Sequence, residues 1–360
     1  MPTVKFSNDN AQFFNTLRHR VNQYFQVRCI SSTGDYNLYL KTAILVSLMI
    51  CNYVWLVFYT PTGFITGLIL CGTLGFLFAA IGFNVMHDGA HGSYSNKPWM
   101  NAIMAGSLDF LGGSSYMWHF KHNVAHHSFT NINDMDEDIH IRPMIRTNDK
   151  QKQLRIHRFQ HIYSMFLYSF SYVIWIFVND YSKYFKKKIA NSVVIPPMST
   201  NQKIQFWGTK IIYLILFVVI PVFRVGLIKT LIGYGLLVFV CGILVGITFQ
   251  LAHVNGETEF IAPEGESFVI ENEWAIHQIN TTANFATKQR WHNWFWGGLN
   301  FQIEHHLFPR ISHVHYPAIS KIVKQTCREF DVPYSEFPTV ASAITSHLTH
   351  LKALGTPIIA

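Results

Sequence analysis

Three short histidine clusters hold the residues of this sequence that are best suited to chemistry. They read HDGAH at residues 87–91, HNVAHH at 122–127 and QIEHH at 302–306. On a helix, histidines four positions apart lie one turn apart, about 6 Å along the axis, so both imidazoles reach one metal ion. An adjacent pair is rotated by about 100° and reaches two metal ions from one helix. The seven imidazoles exceed what one tetrahedral zinc accepts, and they predict two metal ions close together.

The composition indicates that these clusters belong to a membrane protein. Of the 360 residues, 49% are hydrophobic and 13% are charged, whereas about a quarter of a soluble domain is charged. The net charge is +8, and the basic residues flank the apolar segments, which indicates membrane anchoring rather than nucleic-acid binding. The five cysteines show no C-x-x-C spacing and predict neither disulfides nor a zinc ribbon. The N-terminal residues are polar and basic, so we expect no cleavable signal peptide.

Four apolar segments approach the roughly 20 residues that cross a bilayer. We place these spans at about residues 39–59, 64–83, 206–223 and 230–249. Segment 161–178 is also apolar, but basic residues flank both of its ends, and a crossing would put one group on the wrong side. We therefore predict that it is interfacial or re-entrant. Four crossings return the chain to its starting side and place all three histidine clusters on one face, which we expect to be cytosolic.

The two ends of the chain are predicted to lie outside the bilayer. Among the arginines of residues 1–38, apolar residues recur at helical spacing, at Phe14, Leu17, Val21 and Tyr24. This amphipathic segment lies on the membrane surface or packs on the cytosolic domain, and the sequence leaves both alternatives open. Residues 341–360 are predicted to be a C-terminal tail. The fold class is then an all-α integral membrane protein, in which residues 39–340 supply four transmembrane helices, interfacial helices and a cytosolic, histidine-rich helical cap.

The ligand type alone does not choose the metal, because imidazole is a good ligand for iron, copper, zinc and nickel. The location narrows the choice, since the ligands lie where membrane spans end, next to an acyl chain. Activating an unactivated C–H bond there needs oxygen and a redox metal, which excludes zinc. A histidine-rich diiron centre therefore fits the pattern best.

The three clusters resemble the histidine boxes of membrane fatty acid desaturases. In the third box, Gln302 stands where a histidine is usual and LFP follows at 307–309, which is similar to the front-end desaturase signature. Residues 296–301 (WGGLNF) and residues 121–131 around the second box match as well. The resemblance covers roughly residues 40–340. It implies an oxidoreductase that uses O₂ to introduce a cis double bond between an existing double bond and the carboxyl end of an acyl chain.

The resemblance also implies a site with two iron ions, which alternate between Fe2+ and Fe3+, and with O₂ as co-substrate. Carried over position by position, the metal ligands are His87, His91, His122, His126, His127, His305 and His306, with His253 as an additional ligand and Gln302 near or on one iron. The predicted catalytic residues are Gln302, His305 and His306. His119 and His277 are weaker ligand candidates, and His313 and His315 are expected at the surface.

Carboxylates near the boxes are expected to support the ligands. Asp88 and Glu304 lie between ligands and, on a helix, point away from the metal, so we expect each to accept a hydrogen bond from an imidazole N–H. An acidic run, DMDED at residues 134–138, follows the second box. It forms either a solvated loop or a layer that supports the metal ligands or contacts the substrate headgroup.

The resemblance predicts the partners as well. The substrate is a fatty acyl chain, carried by CoA, as in linoleoyl-CoA, or by a lipid of the bilayer. Many eukaryotic front-end desaturases have a fused haem domain with a His-Pro-Gly-Gly motif, which this sequence lacks. Electrons are therefore expected from a ferredoxin or from a free b-type cytochrome with its reductase. This favours a bacterial inner membrane with a cytoplasmic active site, or the endoplasmic reticulum if the source is eukaryotic.

Other activities remain open at this point. A hydroxylase, acetylenase or ketolase on the same scaffold is the nearest alternative. Two further alternatives belong to other classes: a multispan haem protein with paired axial histidines, and a metal transporter. A transporter favours ligands at mid-membrane depth, whereas these histidines lie at the ends of spans.

Overall fold

The structure, a computed structural model, describes residues 3–7, 12–138, 141–190, 192–262 and 267–356. Helices predominate in these ranges, and the β-structure that they contain consists of three two-stranded sheets and a bridge between Ile132 and Ile261. The prediction of a helical protein with four membrane helices and a histidine-rich cap is confirmed.

Four helices have the length and the apolar composition of membrane spans. In chain order they are Tyr36–Tyr59, Phe64–His91, Thr200–Val225 and Leu227–His253. They contain all four predicted segments and run past them, because a helix, once formed, propagates into the polar residues beside it. The third and fourth spans are separated only by Gly226, whose φ of 88° is readily adopted by glycine.

The region predicted to be interfacial or re-entrant, residues 161–178, is bent. It forms two helical stretches, Arg155–Tyr168 and Ser171–Lys186, with an angle of 71° between them. The bend packs closely against Gly242 of the fourth span. There is no room for a side chain at Gly242, since a Cβ there would collide with the carbonyl oxygen of Ser169. A bent pair of this kind is either a broken span or a re-entrant loop, and the interfacial placement stays a prediction.

The N-terminal helix, Gln12–Arg28, packs on the cap. Its buried face consists of Phe13, Leu17, Val21 and Phe25. These side chains share a core with apolar residues of the third box and of helix Tyr316–Glu329. Of the two alternatives for residues 1–38, the packed helix is thus the one observed, because the cap offers an apolar surface for this face. Residues 1–2 and 8–11 lie outside the described residues.

The C-terminal segment contains a packed helix, Val340–Gly355. One face of it is buried, and the imidazole of His347 on that face lies 2.8 Å from the Tyr168 hydroxyl. The described part of the predicted tail, 341–360, is thus a packed helix, and the domain boundary at 340 stays a prediction. Small and apolar residues at helical spacing give this helix a face that the cap buries. Residues 357–360 lie outside the described range.

The remaining elements are short. The other helical stretches are Pro98–Phe110, Ser115–Trp118, His119–His126, His127–Phe129, Arg155–Phe159, Gln160–Tyr168, Ser171–Ile174, Trp175–Asn179, Asp180–Lys186, Trp274–Asn280, Arg290–Trp296, Gln302–Leu307, His313–His315 and Tyr316–Glu329. The strand pairs are Thr3–Phe6 with Ser267–Ile270 (parallel), Lys188–Ile189 with Val193–Val194 (antiparallel) and Asn284–Phe285 with Glu336–Phe337 (parallel).

The second and fourth spans are the pair that positions the site. They approach closely at Gly75, where an added side chain would collide with the Leu237 carbonyl oxygen. Their last residues, His91 and His253, come out at the same end of the bundle, and the boxes of the cap fold over that end.

Candidate metal centre

Eight imidazoles come together where the second and fourth spans end. They belong to His87, His91, His122, His126, His127, His253, His305 and His306. The Nε2 atom of every one is shielded from solvent and has no hydrogen-bond partner among the described residues. A buried polar atom without a partner costs about 1–3 kcal/mol. Eight such nitrogen atoms in one place indicate a site where they bind metal ions instead of hydrogen-bond donors.

The imidazoles divide into two clusters. The first cluster consists of His87, His91, His122 and His305, each with one ring nitrogen within 4.8 Å of the others. The second cluster consists, by the same measure, of His126, His253 and His306. The neighbours His305 and His306 thus serve different clusters, because successive residues on a helix point about 100° apart.

His127 lies between the two clusters. Its ring centroid is 4.6 Å from that of His305 in the first cluster and 4.5 Å from that of His306 in the second. Both of its ring nitrogens are buried and have no hydrogen-bond partner in the described part of the chain. The His127 imidazole therefore faces both clusters.

The second box contributes to both clusters through a widened helix. Residues His119–His126 form a π-helical stretch rather than the α-helix that the spacing suggests. Such stretches are rare and are frequent at functional sites. Here His122 belongs to the first cluster and His126 to the second. That these two histidines, four positions apart, share one metal stays a prediction.

Two carboxylates hold the outward nitrogens of the second box. Asp138 Oδ2 lies 2.8 Å from Nδ1 of His122, and Asp136 Oδ2 lies 2.9 Å from Nδ1 of His126. Asp138 also comes close enough to both histidines to form a third group of possible ligands, but its oxygens already bind His122 and Lys121. Each imidazole thus donates from Nδ1 and keeps its Nε2 lone pair for the cluster.

In three other histidines, the Nδ1 atom, which points away from the clusters, has an uncharged hydrogen-bond partner. The pairs are His253 Nδ1 with the Thr281 carbonyl at 3.1 Å, His305 Nδ1 with the Tyr316 hydroxyl at 3.3 Å, and His306 Nδ1 with Gln278 Oε1 at 2.8 Å. Partners of this kind fix the tautomer and the orientation of metal-binding histidines. The arrangement therefore prepares five of the eight imidazoles to bind through Nε2.

Burial keeps most of the cap imidazoles neutral. It lowers the pKa of His122 to about 4 and the pKa values of His305 and His306 well below the usual value. Burial acts on His126 as well, but the charge and the hydrogen bond of Asp136 outweigh it, so the pKa of His126 is raised. A neutral imidazole offers a lone pair to a metal ion at neutral pH.

An apolar cavity opens beside His87. It runs between the second and fourth spans, and its lining includes Phe78, Met86, Trp118, Tyr172, Cys241 and Val245. Trp118 closes the cavity next to the first cluster, where its ring stacks on His122 with centroids 4.2 Å apart. A narrow space with aliphatic and aromatic walls suits a hydrocarbon chain. Such a chain would lie directly under the imidazoles.

Comparison with known proteins identifies the scaffold. The model of the family described as fatty acid desaturase matches residues 36–338, which include all three boxes. This chain belongs to the fatty acid desaturase family. It is 38% identical to the sn-1 linoleoyl-lipid 6-desaturase of Synechocystis sp. over 98% of both chains. It is 36% identical to an acyl-lipid (8-3)-desaturase of Physcomitrium patens, over 96% of this chain and 72% of that protein. With the sn-1 linoleoyl-lipid 6-desaturase of Arthrospira platensis it shares 35% identity, over 95% of this chain and 92% of that protein.

The donors of this desaturase fit two iron ions. All of them are imidazole nitrogens, which suit iron, and they form two neighbouring groups of three or four. A single structural zinc takes four ligands in one tetrahedron, whereas eight imidazoles are gathered here. The family predicted from the histidine boxes is confirmed, and the assignment of individual ligands stays a prediction.

The predicted candidates outside the clusters have different surroundings. Gln302 is buried at the start of helix Gln302–Leu307, and its amide nitrogen has no hydrogen-bond partner within the described ranges. Its contact with a metal stays a prediction. His277 donates to the Thr130 carbonyl at 2.9 Å, and His119 is exposed. Neither of these two histidines belongs to a cluster.

Two expectations about groups near the boxes are wrong. Asp88 does pair with an imidazole, that of His313 at 3.0 Å, which lies outside the boxes. His313 is therefore buried instead of lying at the surface. Glu304 accepts hydrogen bonds from the Asn284 amide at 2.8 Å and from the Tyr334 hydroxyl at 2.9 Å, and not from an imidazole. Both carboxylates point away from the ligands on their helices, and other elements of the cap pack on that side.

The sequence predicted only some of the residues that hydrogen-bond to the histidines of the clusters. In the acidic run at 134–138, Asp136 and Asp138 support the ligands, whereas Asp134 is half exposed and pairs with Arg142. Gln278, Thr281 and Tyr316 were missed, because each lies outside the boxes and none has a spacing that ties it to a histidine. The only signal was a run of polar residues close to the fourth span, QINTTAN at 278–284.

Proposed function

We propose that this protein is a front-end desaturase of acyl lipids, which introduces a cis double bond toward the carboxyl end of a chain that is already unsaturated. The observation that carries the proposal is the pair of imidazole clusters beside an apolar cavity. The clusters suit metal ions that activate oxygen, and the cavity suits the chain to be oxidised. The relatives, named as linoleoyl-lipid and acyl-lipid desaturases, support the same reaction.

The reaction needs an oxidant and two electrons. For each double bond, one O₂, two electrons and two protons are consumed, two neighbouring C–H bonds break, and two molecules of water leave. Two bound iron ions would supply the activation of O₂. The residues that would hold them are His87, His91, His122 and His305 in the first cluster, His126, His253 and His306 in the second, and His127 and Gln302 beside them.

The side chains around the clusters orient the ligands and exclude water. Asp136 and Asp138 hold two imidazoles so that each Nε2 points inward. Trp118 covers the first cluster on the side of the cavity. Excluding water in this way protects the reactive site and prevents side reactions.

The distance along the second span between His87 and Phe78 supports a bond near carbon six. From His87 to Phe78 this span advances nine residues, about 14 Å at 1.5 Å per residue. An extended chain advances about 3.5 Å for every three bonds, so a segment of about twelve carbons is as long as this stretch of the span. A linoleoyl chain has twelve carbons beyond its sixth. The estimate agrees with the position named for two of the relatives.

We also propose a lipid of the bilayer as the carrier of the acyl chain, in preference to CoA, because the relatives are named for lipid substrates. For the electron donor we propose a separate ferredoxin or a free b-type cytochrome with its reductase. The bacterial inner membrane, with the clusters on the cytoplasmic face, is the proposed location.

Expression in a host that is fed linoleate tests the proposal. Chromatography of the total fatty acids is expected to show an eighteen-carbon acid with an additional double bond at carbon six. The His126→Ala variant, at equal expression, is expected to give none. A hydroxylated acid in place of the alkene would instead identify a hydroxylase, and a Soret band in the purified protein would identify a haem protein.

A further inference from the structure

A second apolar cavity continues the first along the same two spans. Its lining includes Leu74 on the second span and Leu237 on the fourth, each one turn beyond the residues that end the first cavity. It extends to the turn at residues 60–63, at the end of the bundle opposite the metal centre. Its volume is about 220 Å³, against about 40 Å³ for the cavity beside His87. The larger space therefore lies on the axis of the narrow one.

One layer of aromatic side chains separates the two cavities. Phe78 lines the first cavity and packs against Phe217, which lines the second, with ring centroids 5.0 Å apart. Beside them, three tyrosine hydroxyls form a row across the layer. Tyr172 and Tyr213 are 3.3 Å apart, and Tyr213 and Tyr234 are 3.0 Å apart. The tyrosines are tied by hydrogen bonds, whereas the Phe78 ring is held by packing alone.

We propose that Phe78 sets the longest acyl chain that this desaturase accepts. The inference rests on the proposed function, because it takes the cavity beside His87 as the acyl site. The methyl end of an eighteen-carbon chain stops at the Phe78 ring. Four more carbons need about 5 Å, which is the one turn that separates Phe78 from Leu74. A twenty-two-carbon chain with the same bond position therefore fits only when the ring is absent and the second cavity takes its end.

The Phe78→Ala variant removes the ring. We expect desaturation of a twenty-two-carbon chain, relative to an eighteen-carbon chain, to rise by about tenfold or more, because a single methylene in an apolar pocket already changes selectivity by about tenfold. The Phe78→Leu variant keeps most of the packing and is expected to give a smaller rise in the same direction. Both substrates are offered as lipids to the full-length enzyme in membranes.

Gly67 provides a matched control. It lines the second cavity only, and a Cβ added there meets only a Pro61 carbon at 3.8 Å. The Gly67→Leu variant therefore narrows the far end of the second cavity without touching the first. Alone, it is expected to leave the chain-length preference unchanged. Combined with Phe78→Ala, it is expected to keep the changed preference of Phe78→Ala, because Gly67 lies seven residues, about 10 Å, beyond Leu74.

A photoreactive lipid with a diazirine at the methyl end of its acyl chain labels the residues next to that end. The labelling shows where the methyl end lies and does not require desaturation. In the wild type, an eighteen-carbon probe is expected to label Tyr172 or Cys241 in the first cavity. In Phe78→Ala, a twenty-two-carbon probe is expected to label Leu74 or Tyr234 in the second. The inference is overturned if the long probe reaches the second cavity in the wild type, or if Phe78→Ala changes neither the labelling nor the preference. Failure of the wild type to desaturate the eighteen-carbon lipid counts against the proposed function instead, and the labelling still decides the role of Phe78.

Discussion

Replacement of Asp136 by asparagine is expected to weaken the binding of one of the two metal ions. The carboxylate is fully buried. Its Oδ2 accepts from Nδ1 of His126 at 2.9 Å and from the backbone N–H of Asn131 at 3.1 Å, and its Oδ1 accepts from the backbone N–H of Asp138 at 2.9 Å. An amide has one acceptor oxygen only. In either orientation of the new side chain, its NH₂ group therefore faces a donor.

The better orientation keeps the bonds to His126 and Asn131 and loses the bond to Asp138 together with the negative charge. A hydrogen bond to a charged group is worth about 1.5–3 kcal/mol. Mutation of a residue that supports a metal-binding histidine typically costs about 10–100-fold in metal affinity, which corresponds to about 1.4–2.7 kcal/mol. Because His126 belongs to the second cluster only, we expect this loss for one ion and no change for the other.

Anaerobic titration of the metal-free protein with Fe2+, or with Co2+ as a spectroscopic substitute, measures both affinities. The wild type is expected to show two binding steps, and Asp136→Asn is expected to shift one of them. Asp134→Asn is the control, because that side chain is 51% exposed and pairs with Arg142 at the surface. If both steps of Asp136→Asn stay within about twofold of the wild type in a folded protein, Asp136 does not orient a ligand and the reasoning fails.

Four other outcomes are expected. His126→Ala and His305→Ala abolish desaturation in protein that still inserts into the membrane, and each lowers the iron content below the value of about two ions per chain expected of the wild type. Gln302→Ala removes activity and Gln302→His impairs it severely, since a rigid ring replaces a flexible amide; full activity of Gln302→Ala at normal iron content would leave that residue a packing role only. A reporter fused after Ala360 reads as cytosolic, because four spans return the chain to its starting side, and a periplasmic or lumenal signal would contradict this. The melting temperature in detergent falls as the pH drops from about 6.5 toward 4, because burial lowers the pKa of His347 to about 4 and the unfolded chain takes up the proton first. In His347→Gln the melting temperature is expected to fall less steeply with pH. The same pH dependence in the variant as in the wild type would rule out this contribution.

The sequence was sufficient for features that depend on local pattern. The four spans follow from uninterrupted apolar runs, and the boxes follow from histidines at ligand spacing. Local pattern also predicted that neighbours such as His305 and His306 point in different directions, and they lie in different clusters. It left open whether the N-terminal helix lies on the membrane or on the cap, because an amphipathic face does not specify its partner.

The remaining features depend on contacts between distant segments. Asp88 was expected to accept a hydrogen bond from an imidazole, but the sequence did not indicate that the partner is His313, which lies far along the chain. The support of His306 by Gln278 has no spacing that a motif search detects. The widened helix at the second box is also set by its surroundings, since nothing in the spacing of HNVAHH distinguishes a π-helix from an α-helix.

The wide separation of the ligands along the chain has a consequence for biosynthesis. The second span, with His87 and His91, is synthesised long before the third box, so the clusters close only after most of the chain has left the ribosome. Iron that binds the closed clusters but not the unfolded chain adds its binding free energy to the stability of the enzyme. Without the proposed iron ions, the eight Nε2 atoms stay buried and without partners, and such chains are expected to be degraded sooner. We therefore expect the amount of this desaturase in the cell to fall when iron is short, which immunoblotting of cells grown at low and at high iron measures.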